Sequence, residues 1–114
     1  MERLKIFNYT FQNLQEKNMT FEDVFMRIKR FMQREPIGNY RLIVGTDSQV
    51  RGNYVRFITG IVIYREGKGA WACIKKTIVP RRMDNLHERI SCETSLTEEI
   101  VSMFTEERKA ELIT

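Results

Sequence analysis

Apolar residues recur at helical spacing through Phe21, Val24, Phe25, Ile28, Phe31 and Met32, with charged residues between them, so this stretch predicts an amphipathic helix facing a core. Thr20 offers a side-chain oxygen to the first orphan amides, and Glu22 and Asp23 put negative charge at the positive end of the helix dipole. The pattern reaches about Arg34, where Pro36 and Gly38 stop it. Tyr40 to Thr46 then has strand composition, with Leu42-Ile43-Val44 as a buried run ending near Asp47. Tyr54 to Tyr64, rich in β-branched and aromatic residues, is followed by the turn Arg65-Glu66-Gly67-Lys68-Gly69 and by Ala70 to Val79, which predicts a hairpin. Ser48 to Asn53, containing Gly52-Asn53, predicts a hairpin-like connection between the first two strands. Three strands in sequence make an antiparallel meander over residues 40–79.

Pro80 ends the third strand, and Arg81-Arg82-Met83-Asp84 leads into a second helical segment, for which Asn85 is a candidate cap with Glu88 three residues on. Leu86, Ile90, Thr97, Ile100 and Phe104 gather on one side of that helix at roughly 100° per residue. Glu93 falls within this mainly apolar side. A competing pattern, Ser95-Leu96-Thr97-Glu98, is itself a capping box; it would start the helix at Ser95 and leave Glu93 in a solvated loop. Residues 106–113 continue as helix. The expected fold is therefore mixed α/β in a single domain, 1–114: an N-terminal helical segment (1–38), the meander (40–79) and a C-terminal helical segment (85–113).

Composition changes this picture little. Of 114 residues, 42% are hydrophobic and 30% charged, ordinary proportions for one folded domain. The apolar runs fall far short of the roughly 20 residues of a membrane helix, and Met1-Glu2-Arg3-Leu4-Lys5 opens no signal-peptide core, so a cytoplasmic chain with no membrane role is expected. Cys73 and Cys92 have neither CxxC spacing nor a nearby His pair, which points to reduced thiols. A net charge of +4, with Arg51 and Arg56, Lys75 and Lys76, and Arg81 and Arg82 in small groups, modestly favours an anionic partner; a solvated strand face or loop explains each pair as well.

The most informative segment is Gly45-Thr46-Asp47-Ser48-Gln49, which places a carboxylate at the mouth of the first apolar run. Its plain interpretation is a strand end followed by a turn, since Asp and Ser favour turns. Its chemical interpretation is a metal ligand, with short polar neighbours to orient what it holds and a glycine that lets a backbone or phosphate come close. Because a lone Asp holds a divalent ion weakly, a second acid is required, and Glu93, on the apolar side of its helix, is the informative candidate. His87, the single histidine, stands beside the same loop as a candidate proton shuttle or a surface residue. Trp71, Tyr54 and Phe57 lie on strands, where core roles are commoner than base stacking.

A strand carrying an Asp, two further antiparallel strands and a helix carrying a Glu resemble the first half of an RNase H-like nuclease fold. Val44-Gly45-Thr46-Asp47-Ser48-Gln49, the strand pair that follows and Leu86 to Ser95 look like the YkuK-type family of predicted RNase H-related proteins, over most of the chain from about Thr20 onward. The resemblance implies a mixed sheet flanked by helices, carboxylates binding Mg²⁺ or Mn²⁺, and hydrolysis of phosphodiesters in RNA, DNA or a hybrid. It maps Asp47 onto the strand aspartate and Glu93 onto the helix glutamate as catalytic metal ligands. Ser48 and Gln49 are then candidates for contacts to substrate, and Arg51, Lys75, Arg81 and Arg82 for contacts to phosphate. The family pattern takes a third acid from a strand after the helix, which these residues do not supply: Asp84 is misplaced, and Glu111 would need a fold-back or another subunit. Without that strand one sheet edge is expected to lie open, with impaired catalysis and a homodimer covering the edge as consequences. A non-catalytic nucleic-acid-binding or self-associating module is the alternative.

Overall fold

The computed structural model describes residues 6–7, as backbone, and 10–113. The elements in chain order are β1 (Ile6–Phe7), α1 (Phe21–Gln33), β2 (Tyr40–Arg51), β3 (Tyr54–Arg65), β4 (Ala70–Val79), α2 (Leu86–Met103) and α3 (Glu106–Leu112). The strands form one antiparallel sheet in the order β1-β4-β3-β2. The predicted meander is thus present, and a two-residue strand that its sequence pattern does not announce pairs with the far side of β4.

Capping explains where the helices start. Thr20 Oγ1 accepts the Asp23 amide at 3.1 Å while Asp23 Oδ2 accepts the Thr20 amide at 2.9 Å, a capping box closed by Asp in place of the longer Glu. Asn85 Oδ1 accepts the amides of His87 and Glu88, so α2 begins at Leu86 and not at Ser95. Ser95 lies mid-helix, and Glu93 with it is a helical residue.

The first strand is longer than expected. It continues through Gly45-Thr46-Asp47-Ser48-Gln49 to Arg51, with Asp47 opposite Ile58 and Arg51 opposite Tyr54, so Asp47 does not end the strand or begin a turn. The chain reverses only at Gly52 and Asn53, where Gly52, at φ +53°, takes the left-handed corner that would strain a side chain. Extension wins because each residue from Ser48 to Arg51 gains a cross-strand partner on β3 that a wider loop would forfeit.

Alternation along the strands sends one face of the sheet to the helices. Leu42, Val44, Thr46 and Ser48 on β2 share that face with the fully buried Val55, Phe57, Thr59 and Ile61 on β3. Two apolar clusters lie beneath the helices: a larger one joining Phe11, Val24, Phe25, Ile28, Ile61, Ile63, Cys73, Ile100 and Phe104, and a smaller one of Val55, Phe57, Val79, Met83 and Leu96. Between them runs the cross-strand row Thr46, Thr59 and Lys75. The other face, with Ile43, Gly45 and Asp47 on β2 and Tyr64 on β3, is only partly covered: Ile43 is 49% exposed.

The apolar side expected for α2 is displaced around the helix. Ile100 and Phe104 are buried as expected, but Leu86 and Ile90 are 59% and 50% exposed, and Leu96 takes the core position instead. The bonds from Thr97 to Thr46 and from Glu93 to Ser48 set the rotation of α2 on β2, and with that rotation Leu96 and Ile100 face the core while Ile90 turns outward.

Candidate acidic site at the sheet edge

Glu93 reaches the strand that carries Asp47. Ser48 Oγ donates to Glu93 Oε2 at 2.5 Å, joining the helix acid to the residue next to Asp47. One turn on, the Thr97 hydroxyl contacts that of Thr46 at 2.8 Å, and Thr46 contacts Thr59 at 3.0 Å. These bonds satisfy a half-buried carboxylate and two interior hydroxyls that would otherwise be costly under a helix. They also fix the rotation of α2. A cleft of about 310 Å³ opens where Val44, Gly45 and Thr46 meet Glu93, Thr94, Thr97 and Glu98. The strand alternation turns Asp47 toward the opposite face, where it is exposed and, among the described residues, makes no hydrogen bond or ion pair. Asp47 and Glu93 therefore meet the same stretch of β2 from opposite faces of the sheet, Glu93 through Ser48.

The basic candidates separate into two groups. Gln49 Oε1 accepts from Arg51 at 3.1 Å and from Arg56 Nη2 at 2.7 Å, which collects two guanidinium groups one cross-strand row from Asp47. The row of Asp47 itself continues through Ile58 to Lys76. Arg81 pairs with Glu88 at 2.5 Å, and its guanidinium holds that carboxyl below the usual carboxylate range. Arg82 bonds Asp84 at 2.9 Å and the Gly52 carbonyl at 2.7 Å, bracing the β2–β3 turn. Lys75 departs from expectation: its side chain is 8% exposed and lies under the helices, 4.0 Å from Glu99 and over the Phe11 ring, so it is an interior residue and not a phosphate contact. Alternation decided this, since Lys75 opposes Thr59 on the helix-covered face whereas Lys76 opposes Ile58 on the open one.

Among the described residues no three His, Cys, Asp or Glu side chains converge. Glu111 bonds Lys29 at 2.6 Å, and Asp84 is held by Arg82. His87 is exposed in the first turn of α2. Phe57 is fully buried in the core, and Trp71 is partly buried where it packs against the larger cluster. Cys73 is a buried thiol whose pKa burial pushes up to about 12. The threonine network was not singled out by the spacing of residues, and Arg56 was noted only as one of the basic groups, although Thr97 stands one helical turn from Glu93 and the Gly52-Asn53 turn sets Gln49 opposite Arg56.

The sheet is wholly antiparallel among the described residues and not the mixed sheet the resemblance implied, but the order of helix, antiparallel meander and following helices is that of an RNase H-like protein. The chain belongs to the family described as Ribonuclease H-like, which matches residues 23–113. Within it the chain is of the YkuK type: it is 47% identical over 92 residues to the "Uncharacterized protein YkuK" of Bacillus subtilis (strain 168), a match that covers 81% of this chain and 54% of that protein. The chain thus spans about half the length of that relative. No solved structure gives a significant match. No helix among the described residues is long and apolar enough to cross a membrane.

Proposed function

We propose that this chain carries a divalent-metal-dependent nuclease site of RNase H-like type that hydrolyses phosphodiester bonds in nucleic acid, with Asp47 and Glu93 as the acids that hold the ion. The observation that carries this reading is the Ser48–Glu93 hydrogen bond, which brings the helix acid to the strand whose other face bears Asp47, so that a shared ion requires one of the two side chains to turn around β2, in a chain of this family. The donors suit a hard cation: two carboxylates with hydroxyl groups around them and no thiolate or imidazole, the set preferred by Mg²⁺ or Mn²⁺. Among the described residues Glu93 Oε1 and both Asp47 oxygens take no hydrogen bond. An ion held there supplies Lewis-acid stabilisation of a phosphoryl oxygen and acidifies bound water.

The remaining residues have plainer tasks. Ser48 orients Glu93, and Gln49 holds Arg51 and Arg56 where a phosphate meets two positive charges beside Asp47. Gly45 and Gly60 oppose each other on the open face, at φ values any residue adopts, and an added Cβ at Gly45 would meet nothing within 4 Å. Neither glycine is needed by the backbone. Their pairing leaves a bare trough one row from Asp47, suited to close approach by a sugar-phosphate backbone.

Calorimetry with Mn²⁺ tests the site: wild type binds, and both Asp47→Asn and Glu93→Gln lose most of that binding. Identical Mn²⁺ isotherms for wild type and Asp47→Asn would overturn it. The guanidinium pair that Gln49 gathers on the open face favours a second reading, a nucleic-acid-binding module without hydrolysis. In that case affinity for single-stranded or duplex nucleic acid falls steeply with salt through loss of phosphate contacts, while no cleavage accompanies Mn²⁺.

A further inference from the structure

We propose that a recess between α1 and the start of β4 takes one nucleotide of a single-stranded nucleic acid, its base on the indole of Trp71 and its phosphate between Arg30 and Arg34. This assignment rests on the nucleic-acid function proposed above and involves neither Asp47 nor Glu93. The recess, a cavity of about 240 Å³, is lined by Arg27, Arg30 and Arg34 along α1 and its C-cap, by Trp71 on β4, and by Gln15 and Glu16 of the segment before the helix. That segment is fixed in place. Asn13 Oδ1 accepts the amides of Gln15 and Glu16, both at 2.9 Å, while its Nδ2 donates to the Ala72 carbonyl at 3.1 Å, beside Trp71. Glu16 in turn accepts Arg27 through both carboxylate oxygens, at 2.8 and 2.7 Å. The Arg27 guanidinium holds that carboxyl below the usual carboxylate range, and the charge of Arg30 adds to the effect, so Glu16 stays ionised and offsets one of the three arginines.

Two positive charges are left over. Arg30, in the last turn of α1, and Arg34, at its C-cap, stand four residues and roughly 6 Å apart along the axis; both are exposed, and among the described residues neither side chain makes a hydrogen bond or ion pair. Like charges at that spacing repel, and a phosphate between them replaces the repulsion with charge-assisted contacts. The negative end of the helix dipole accounts for basic residues at a helix end, but not for the indole and the Gln15 amide that share the recess with them. Trp71 is partly buried: packing against the larger cluster holds the ring, and the rest of it lines the recess. A held aromatic ring beside unpaired cations suits an unpaired base with its phosphate. A duplex hides its base faces, and a cavity below the roughly 300–1,000 Å³ usual for small-molecule sites fits one unit of a longer strand better than a whole ligand. Trp71 stands in the cross-strand row of Ile63 and Leu42, six residues of β2 and roughly 20 Å from the row of Ser48, so substitutions here leave the acids untouched.

Trp71 is the single tryptophan, so its fluorescence reports on this recess. A single-stranded oligonucleotide, labelled for anisotropy and titrated in EDTA to keep metal away from the acids, is expected to bind and to quench Trp71 with the same midpoint. The double variant Arg30→Gln/Arg34→Gln weakens binding and lowers the salt slope by about 0.7, the share of one phosphate on a single strand. Trp71→Leu weakens binding by about 5–150-fold, the range for one lost stacked base, and Trp71→Phe recovers most of that loss, which separates stacking from any change in folding. Anisotropy that rises while Trp71 stays unquenched would leave the nucleic-acid function in place and overturn this assignment; so would a double variant that binds as wild type does. No rise in anisotropy would overturn both. A mononucleotide that quenches Trp71 at lower concentration than the oligonucleotide would give the recess to a free nucleotide and overturn the strand.

Discussion

Thr46 is the residue on which the site's geometry turns, because its hydroxyl contacts both Thr59 below it and Thr97 above it. Thr46→Val keeps the shape but leaves two interior hydroxyls short of a partner, a cost of about 1–3 kcal/mol in urea unfolding, whereas Thr97→Val, at the end of the chain of contacts, costs less. Ser48 acts on chemistry more than on stability: if Glu93 is a ligand, Ser48→Ala lowers Mn²⁺ affinity by about 10–100-fold, the usual effect of losing a group that orients a ligand, and leaves the unfolding midpoint near wild type. Cys73 makes a pH prediction. Its thiol is raised from an ordinary 9.0 to about 12 by burial, so the unfolded chain ionises first as pH rises. The stability it contributes is complete below pH 9 and declines from there toward pH 12, and a Cys73→Ala variant, measured at pH 8 and pH 10, shows a smaller loss than wild type. Asp47 and Glu93 were legible as residue types against an apolar pattern; the face each occupies was not, because a helix flank and a strand face are assigned by partners distant in sequence.

At the scale of elements, local signals carried the most information. The Thr20 cap, the Gly67 turn and the breaks at Pro36 and Pro80 come from side chains acting on their own backbone, and each marks a boundary close to where it falls. The α2 start posed a choice between Asn85 and Ser95, and packing settled it: from Leu86 onward the helix can set Glu93, Leu96, Thr97 and Ile100 against the sheet together. Asn85→Ala, which leaves the His87 and Glu88 amides without their acceptor, is expected to cost about 1 kcal/mol in thermal or urea unfolding. The extension of β2 through Asp47 was less visible, since Asp, Ser and Gln have weak strand preference and yield only to the twelve-residue pairing with β3. The two residues of β1 carry too little pattern to be read at all; they exist through pairing with Ile78 and Thr77.

For the whole molecule, positive charge gathers on the open face: the chain carries a net +4, Gln49 collects Arg51 and Arg56, and Lys76 stands in the cross-strand row of Asp47. If that face meets a sugar-phosphate backbone, affinity for nucleic acid falls as salt rises, because each phosphate contact releases counterions. Arg56→Gln, which removes a guanidinium that bonds Gln49 and neither acid, is expected to weaken binding of single-stranded or duplex nucleic acid and to flatten its salt dependence in a fluorescence-anisotropy series, while Mn²⁺ calorimetry stays near wild type. An Arg56→Gln chain with wild-type affinity and an unchanged salt slope would show that the open face is not the surface that meets phosphate.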